Sequence, residues 1–327
     1  MNNEDPARGI LHAVVMDRRG GAAPIEAGQI SGWQPENGIL WVHVDITNRN
    51  TREWLTEESS IDDVIVKAMT VDETRPRAIA ADEGTLIVLR GVNTNPGSNP
   101  EDMVSVRIWL ERDRIISSRR RKLLSVQDVL AQLREGRGPK STGDFLVMLI
   151  ERLADRIGDF VNSIEDHLIE AEENPDDLPL DERRRTVGTV RRQLAGVRRF
   201  LGPQRDALDR LYRQPGDWFS SSEVQRLREE SDRITRYLED LDLARERAIV
   251  LQEEILATVA QEQNTRMYVL SVVAAIFLPL TFVTGLLGMN VGGLPGVESQ
   301  RGFVGAMLVM VVACAGLIGF FRWKRWL

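Results

Sequence analysis

Two long stretches without a charged residue constrain this chain more than any other feature. The window from Met267 to Leu287 contains no Asp, Glu, Lys, Arg or His, and the window from Gly302 to Phe321 contains none either. Each window holds about 20 residues, the length that an α-helix needs to cross a hydrocarbon core of roughly 30 Å. A helix buried in a soluble core can also be apolar all round, but two such windows in succession are hard to hide there. The sequence therefore predicts two transmembrane helices joined by a short loop.

The charges beside the two windows predict the orientation of the chain. Arg266 precedes the first window, and the loop between the windows carries only Glu298 and Arg301. Three basic side chains follow the second window: Arg322, Lys324 and Arg325. Because Lys and Arg near a span stay on the cytoplasmic side, we expect both termini in the cytoplasm and the loop outside.

Several functional classes are disfavoured by composition. The N-terminus has neither the basic nor the apolar segment of a secretory signal, and the single cysteine, Cys314, cannot form an intrachain disulfide. The formal net charge of −7 argues against a nucleic-acid partner, and the basic run Arg119–Lys122 is interpreted as a solvated face. The three histidines show no ligand spacing, and we find no enzyme signature; they are His12, His43 and His167.

The first 125 residues are predicted to form a cytoplasmic α/β domain. Apolar, β-branched segments alternate there with Gly, Asn, Asp and Pro. The predicted strands are Leu11–Met16, Leu40–Val44, Thr85–Val92, Val104–Leu110 and Arg114–Ser117. Helical patterns at Thr51–Leu55 and Ile61–Met69 lie between them.

Residues 126–266 are predicted to be a helical section that ends in a long stalk helix. Breaks are expected at 136–139, 174–175 and 202–203, where Gly, Asn and Pro cluster. The acidic run at 170–173 is interpreted as an exposed, ion-paired face, with metal sensing as the alternative.

The stalk carries a seven-residue repeat. Five apolar residues recur at this spacing: Leu227, Ile234, Leu241, Ala248 and Ile255. Such a repeat predicts a seam packed against other helices. Self-association around an axis is the simplest way to bury the seam, and packing within the same subunit is the alternative.

One face of the first window predicts a pore. Its residues follow one another at three- and four-residue spacing: Met267, Leu270, Ala274, Leu278, Thr281, Gly285 and Gly288. If several copies surround an axis, hydroxyl and amide groups lie at the outer mouth and a long apolar throat lies further in. An apolar constriction can gate ions by dewetting, and rings of oxygen can hold a hydrated cation. The alternative is that the threonines only hydrogen-bond to the preceding turn.

The end of this window resembles a known family. Gly288-Met289-Asn290 is similar to the signature of the CorA family of divalent-cation transporters, and Ile276–Phe282 resembles the family's first span. The layout of α/β domain, helical section, stalk and two spans is also similar. Two segments, Thr74-Arg75-Pro76-Arg77 and Gly292–Gly296, resemble the ZntB-like zinc-transporting branch. The magnesium channels usually carry an acidic loop after the signature, whereas this loop has only Glu298.

The resemblance implies a homopentameric funnel in the inner membrane, with the first span lining the pore and with lipid and divalent cations as partners. It implies uptake of Zn²⁺, with Ni²⁺ or Cd²⁺ as further cargo and with protons as a coupling ion, and no cofactor. Asn290 is then the metal site, one amide per subunit, and Gly288 and Met289 shape the turn that presents it. The expected division is 267–287 for the first span, 288–301 for the external loop, 302–321 for the second span and 322–327 for a basic cytoplasmic tail.

Proton coupling would need groups outside the two windows, because neither window contains a carboxylate or a histidine. Glu262 on the stalk and Glu298 at the mouth are the candidates. Two alternatives to zinc transport stay open at this point. One is a Mg²⁺ or Co²⁺ channel of the same superfamily, and the other is a membrane-anchored coiled-coil scaffold without transport.

Overall fold

The fold is described from a computed structural model of the 327-residue chain. The described residues are 5, 7–72, 74–173, 179–289 and 301–324. The contacts divide the chain into two compact units, Met1–Gln252 and Glu253–Leu327.

A seven-stranded mixed sheet organises the first unit. Its strands are β1 (Ile10–Met16), β2 (Ala22–Pro24), β3 (Ile39–Asp45), β4 (Arg77–Ala80), β5 (Thr85–Gly91), β6 (Val104–Leu110) and β7 (Arg114–Arg119). The spatial order is β2-β1-β3-β7-β6-β5-β4, and only the β3–β7 pair is parallel. All five predicted strands are confirmed, whereas β2 and β4, the two edge strands, were not predicted.

One face of the sheet is covered by two short helices, α1 (Arg49–Glu57) and α2 (Asp63–Thr70). Each begins at a side-chain cap: Asn48 accepts from the Asn50 amide, and Asp62 accepts from the Val64 amide. Buried apolar side chains of both helices pack on alternate residues of β3 and on β5 to β7: Trp54, Leu55, Val66 and Met69 against Val42, Val44, Leu86, Trp109 and Ile116. Both helices were predicted.

The opposite face of the sheet is covered by α3 (Leu124–Arg134) and α4 (Thr142–Glu173). Trp41, on the strand position facing away from α1 and α2, packs edge-on against Phe145 of α4 with the ring centroids 4.7 Å apart. Its indole N–H donates to the Ser117 hydroxyl at 2.8 Å. The break predicted at 136–139 separates these two helices and is confirmed, and the break at 174–175 lies outside the described residues.

Helix α5 (Leu180–Arg213) corrects the break that was predicted at Gly202-Pro203, because the helix continues through Pro203. Proline within a helix costs about 3 kcal/mol. Buried neighbours on both sides offset this cost, and Gln204 also accepts from the Arg90 backbone N–H at 2.7 Å. The helix is therefore held against the sheet edge at the position where the sequence alone predicts an interruption.

Helix α6 (Ser221–Leu287) contains the predicted stalk and continues through the first apolar window. All five residues of its seven-residue repeat are buried in the single chain. Within the first unit, ion pairs join the helix to α4 and α5: Arg226–Asp144, Arg233–Asp155, Arg247–Glu172 and Arg198–Asp242. The predicted seam is confirmed, but from Leu227 to Leu251 it is buried within its own subunit. Its burial therefore does not require self-association.

The second unit contains the remainder of α6 and α7 (Gly302–Trp323). Both helices are long and apolar enough to span a membrane. Neither apolar window is buried within the chain. These helices coincide with the two charge-free windows, so the prediction of two apolar C-terminal helices is confirmed.

Candidate cation pathway

The predicted pore residues lie along one exposed face of α6. Because they follow one another at intervals of three or four residues, the helix places them in a single row. The two leucines of the row, Leu270 and Leu278, are 70% and 71% exposed, and Met267, Ala274, Thr281 and Gly285 are exposed as well. The row is thus mostly apolar, with small or hydroxylated residues toward the C-terminal end of the helix.

The hydroxyl groups of this segment donate to their own helix backbone. Thr281 Oγ1 donates to the Phe277 carbonyl at 2.8 Å, and Thr284 Oγ1 donates to the Thr281 carbonyl at 3.0 Å. The alternative reading of the threonines as local backbone partners therefore describes real bonds. A hydroxyl that has donated its only proton still carries acceptor lone pairs, so Thr281 can accept from the water shell of a cation while it keeps this bond.

Ser271 adds a hydroxyl that the sequence reasoning overlooked. It lies one turn after Met267 and is exposed, and its hydroxyl donates to the Met267 carbonyl at 2.8 Å. The four-residue spacing from Met267 could have identified it as a neighbour of the predicted face. The inner half of the face is consequently less uniformly apolar than predicted.

The C-terminal end of α6 leads into the family signature. The Gly288 amide donates to the Thr284 carbonyl at 2.9 Å, and the helix ends at Leu287. A Cβ atom added at Gly288 would lie 3.1 Å from that carbonyl oxygen, which is a tight contact. Met289 is exposed, and Asn290, the predicted metal site, lies outside the described residues.

Of the two predicted proton-coupling groups, only Glu262 lies among the described residues. Glu262 pairs with Arg266 one turn later, at 3.4 Å, and both side chains are largely exposed. Such an exposed pair is worth little energy, so the carboxylate can exchange its partner readily. Glu298 and most of the 288–301 loop lie outside the described residues.

Metal-binding clusters are absent from the described part of the chain: no three His, Cys, Asp or Glu side chains come close enough to hold an ion. The acidic run at 170–173 instead includes Glu172, which pairs with Arg247 at 2.6 Å. The predicted ion-paired face is confirmed for this residue. A cation moving along the exposed face of α6 would therefore meet neutral oxygen atoms and apolar surface between Met267 and Leu287.

Comparison with known proteins covers almost the whole chain. A family described as CorA-like Mg2+ transporter protein matches residues 36–325. The zinc transport protein ZntB of Pectobacterium atrosepticum is 36% identical over 323 residues, which is 98% of this chain and 96% of that protein. The divalent cation transporter CmaX of Pseudomonas aeruginosa is 38% identical over 327 residues, with 98% and 97% of the two chains covered. The solved structure of full-length CmaX matches with a TM-score of 0.84 at 36% identity, covering 98% of each chain.

Proposed function

Since the chain belongs to the CorA-like Mg2+ transporter family, we propose that it is a divalent-cation transporter whose principal cargo is Zn²⁺. The observation that carries the proposal is the similarity, at 36% identity over nearly the full length, to a protein named as a zinc transporter. The ZntB-like segments at 74–77 and 292–296 agree with this choice of ion. A Mg²⁺ or Co²⁺ channel and a scaffold without transport are less well supported.

We propose that the working form is a homopentamer in the inner membrane. The support comes from the two apolar helices, whose side chains are exposed in the single chain. Contiguous apolar surface of this extent marks a membrane or protein interface. Lipid and further copies of the chain are the partners that would cover it, with both termini in the cytoplasm as the flanking basic residues predict.

The proposed division of labour follows the sequence boundaries. Residues 1–125 and 126–266 form the cytoplasmic domain and the stalk, 267–287 line the pore, and 302–321 form the outer span. The external loop at 288–301 presents the signature, and 322–327 anchor the chain at the cytoplasmic surface.

Within the pore, each copy contributes one Asn290 amide to an outer ring that holds the incoming dication. Gly288 and Met289 shape the turn before it. A neutral ring suits an ion that keeps most of its water, because stripping a dication in a low-dielectric site is very costly. Thr281 then supplies a second ring of acceptor oxygens for that water shell.

Further inward, the apolar residues of the face form the gate. Leu278, Leu270 and Met267 cannot hydrogen-bond to water, so a narrow ring of them dewets and blocks hydrated ions. Gly285 and Ala274 are small and allow close approach of neighbouring helices. Opening then requires only a widening of the throat, without any bond to the ion being broken.

The membrane potential alone can drive uptake. A dication that enters a cell held at about −100 mV gains roughly 4.6 kcal/mol, at about 2.3 per charge. Proton coupling is assigned to Glu262 or Glu298, because neither span contains a carboxylate or a histidine. Because Glu262 pairs with Arg266, an Arg266→Gln protein is the matched control that removes the pair but keeps the carboxylate.

The test is Zn²⁺ entry into liposomes that contain the purified protein and a zinc-sensitive dye. We expect Asn290→Ala to abolish most of the flux, while Asn264→Ala, an exposed amide of α6 that precedes the apolar window, leaves it unchanged. Equal flux in both variants would refute the signature ring. Mg²⁺ entry, measured with a matching Mg²⁺-sensitive dye, that exceeds Zn²⁺ entry would favour the channel alternative. Ni²⁺ and Cd²⁺ are tested as competitors of Zn²⁺ entry. Comparing proton flux in Glu262→Gln, Glu298→Gln and Arg266→Gln tests the coupling.

A further inference from the structure

An arginine-rich cavity in the first unit takes no part in the proposed cation pathway. It has a volume of about 570 Å³ and lies where β5, the loop before β6 and α5 meet. Five arginines line it: Arg75, Arg90, Arg120, Arg121 and Arg199. Three acidic residues share the lining: Asp72, Glu101 and Asp102. A cavity of this size is within the range of small-molecule sites, and positive charge prevails among its described residues.

The wall of the cavity is held in place by Arg90. Its guanidinium donates twice to the Thr74 carbonyl, at 2.8 and 3.2 Å, and once to the Met103 carbonyl, at 2.7 Å. The same group lies 4.0 Å above the centroid of the Phe200 ring on α5, a favourable cation–π geometry. Arg90 thus joins three segments of the wall, and these contacts fix the shape of the cavity.

Two other arginines are available to a ligand. Arg75 and Arg121 are exposed, and neither forms an ion pair with a described carboxylate. Pro76 restricts the backbone of Arg75 to extended conformations. The Thr74-Arg75-Pro76-Arg77 segment, noted above only as a resemblance, therefore has a local role in presenting a guanidinium at the cavity.

Behind the lining, Arg107 strengthens the positive field. It is fully buried, and it donates to the carbonyls of Val71 and Asp72 at 2.7 and 3.2 Å. Its Nε and Nη1 groups have no hydrogen-bond partner among the described residues. Burial, followed by repulsion from Arg90 and Arg120, lowers the pKa of Arg107 to about 10. Arg120 pairs with Asp72 at 2.9 Å, but among the described residues of the lining the arginines outnumber the acids. An anion in the cavity would therefore relieve the repulsion within the cluster.

The acidic side of the cavity limits what the anion can be. The Oε2 atom of Glu101 is buried without a hydrogen-bond partner among the described residues, and such an atom is costly to leave unpaired. A halide ion could not satisfy it, because it has no proton to donate, and a phosphate ion could do so only through a P–OH group. A ligand that carries hydroxyl or amino donors in addition to its negative charge could do so.

We propose that this cavity binds a small soluble phosphorylated metabolite, with phosphate oxygens on Arg75 and Arg121 and donor groups toward Glu101. Planar guanidinium groups pair with phosphate through two parallel hydrogen bonds, which favours phosphate over spherical anions. The site belongs to the first unit and does not depend on which cation is transported.

Calorimetric titration of the full-length protein in phosphatidylcholine nanodiscs, without divalent metal and at constant ionic strength, tests the site. ADP and pyrophosphate are the probes, because they share a diphosphate and only ADP carries hydroxyl and amino donors. We expect both to bind, ADP more tightly. The Arg75→Gln/Arg121→Gln double variant should weaken both by at least about tenfold. Arg49→Gln/Arg52→Gln, the same charge change on exposed residues of α1, should weaken neither.

A third variant distinguishes the contribution of the donor groups of ADP from that of the diphosphate. Glu101→Gln removes a negative charge and should weaken ADP binding while leaving pyrophosphate binding equal or tighter. Absence of binding by both probes, or equal weakening in the two arginine pairs, would overturn the site. Loss of ADP binding when phosphatidic acid replaces phosphatidylcholine would overturn the assignment to a soluble ligand and identify a lipid headgroup as the source of the phosphate.

Discussion

Replacement of Leu241 by alanine tests where the long helix α6 is packed. Leu241 belongs to the seven-residue repeat, and its side chain is 0% exposed in the single chain. The ion pairs Arg233–Asp155 and Arg247–Glu172 bind α6 to α4 on both sides of this position. If the seam is buried within the subunit, the substitution opens a cavity inside each protomer and leaves contacts between protomers unchanged.

The expected loss of stability is large. Leu→Ala at a buried site costs about 2–5 kcal/mol, the spread reflecting how far the site collapses around the cavity. We expect about 3 kcal/mol, because Leu241 is fully buried in the middle of a helix that is tied down on both sides and cannot shift easily. For a unit of this size a change of 1 kcal/mol moves the unfolding midpoint by roughly 2–4 °C. The midpoint should therefore fall by about 6–12 °C.

The assay is thermal unfolding of the full-length protein in detergent, repeated over a hundredfold range of protein concentration. Leu243→Ala is the matched control: it removes the same atoms two residues later, from a side chain that is 60% exposed. We expect a change of about 0.5 kcal/mol or less for the control. Because the cavity lies within one protomer, the shift caused by Leu241→Ala should not vary with protein concentration.

Two results would refute this reasoning. A shift for Leu241→Ala that grows on dilution, accompanied by smaller oligomers in light scattering, would place the seam between subunits. Equal shifts in the two variants would mean that burial in the single chain does not describe the assembled protein at this helix.

Three further predictions concern the pathway and the cytoplasmic unit. Thr281→Val should reduce Zn²⁺ flux in the liposome assay without lowering the unfolding midpoint, and Thr281→Ser should retain the flux, because only the valine lacks the acceptor oxygen. Burial raises the pKa of Glu230 above its usual 4.5, despite the ion pair with Arg233, so the stability of the folded protein should fall as the pH rises through and above 4.5. In thermal unfolding, Glu230→Gln should remove this pH dependence and raise the midpoint at neutral pH. A lower midpoint would show that the ion pair outweighs burial. Burial, with repulsion from nearby cations, lowers the pKa of His43 well below 6.5. Below pH 6.5 the imidazole therefore binds a proton in the unfolded chain but not in the folded one, and stability should decrease as the pH falls. His43→Asn should flatten that decrease in the same assay.

The strands that the sequence predicted differ physically from those it missed. The five predicted strands carry runs of β-branched and aromatic residues, and most of their residues are buried. The missed strands, β2 and β4, are the sheet edges, and they have only three and four residues, most of them exposed. An edge strand of this kind is held by backbone hydrogen bonds to one neighbouring strand. Such bonds do not depend on side-chain type, so the sequence of the strand carries no hydrophobic pattern.

Helix α5 illustrates a second limit. Local chemistry at Gly202-Pro203 argues for a break, but Gln204 and the buried residues around it are fixed to the sheet edge by contacts that are distant in sequence. The Gln204–Arg90 bond spans 114 positions, so no window of sequence contains both partners. Tertiary packing overrides the local preference here, and only the folded structure can show it.

The candidate pathway poses a different problem, because in lipid an apolar pattern no longer identifies the face of a helix that is packed against protein. In water, an apolar repeat identifies a buried face, and the α6 seam was found in this way. In the bilayer every face of a span is apolar, and association depends on close packing, small residues and hydrogen bonds instead.

The proposed pore face of α6 was therefore assigned from its few informative residues. Thr281 offers an oxygen, Ala274 and Gly285 are small enough for close approach, and the Gly288-Met289-Asn290 signature marks the proposed outer end. The leucines carry no information about which way they face, since Leu270 and Leu278 would be equally stable against lipid. It follows that substitutions at Thr281 and Asn290 can test the orientation of the span, whereas a conservative exchange among its leucines cannot.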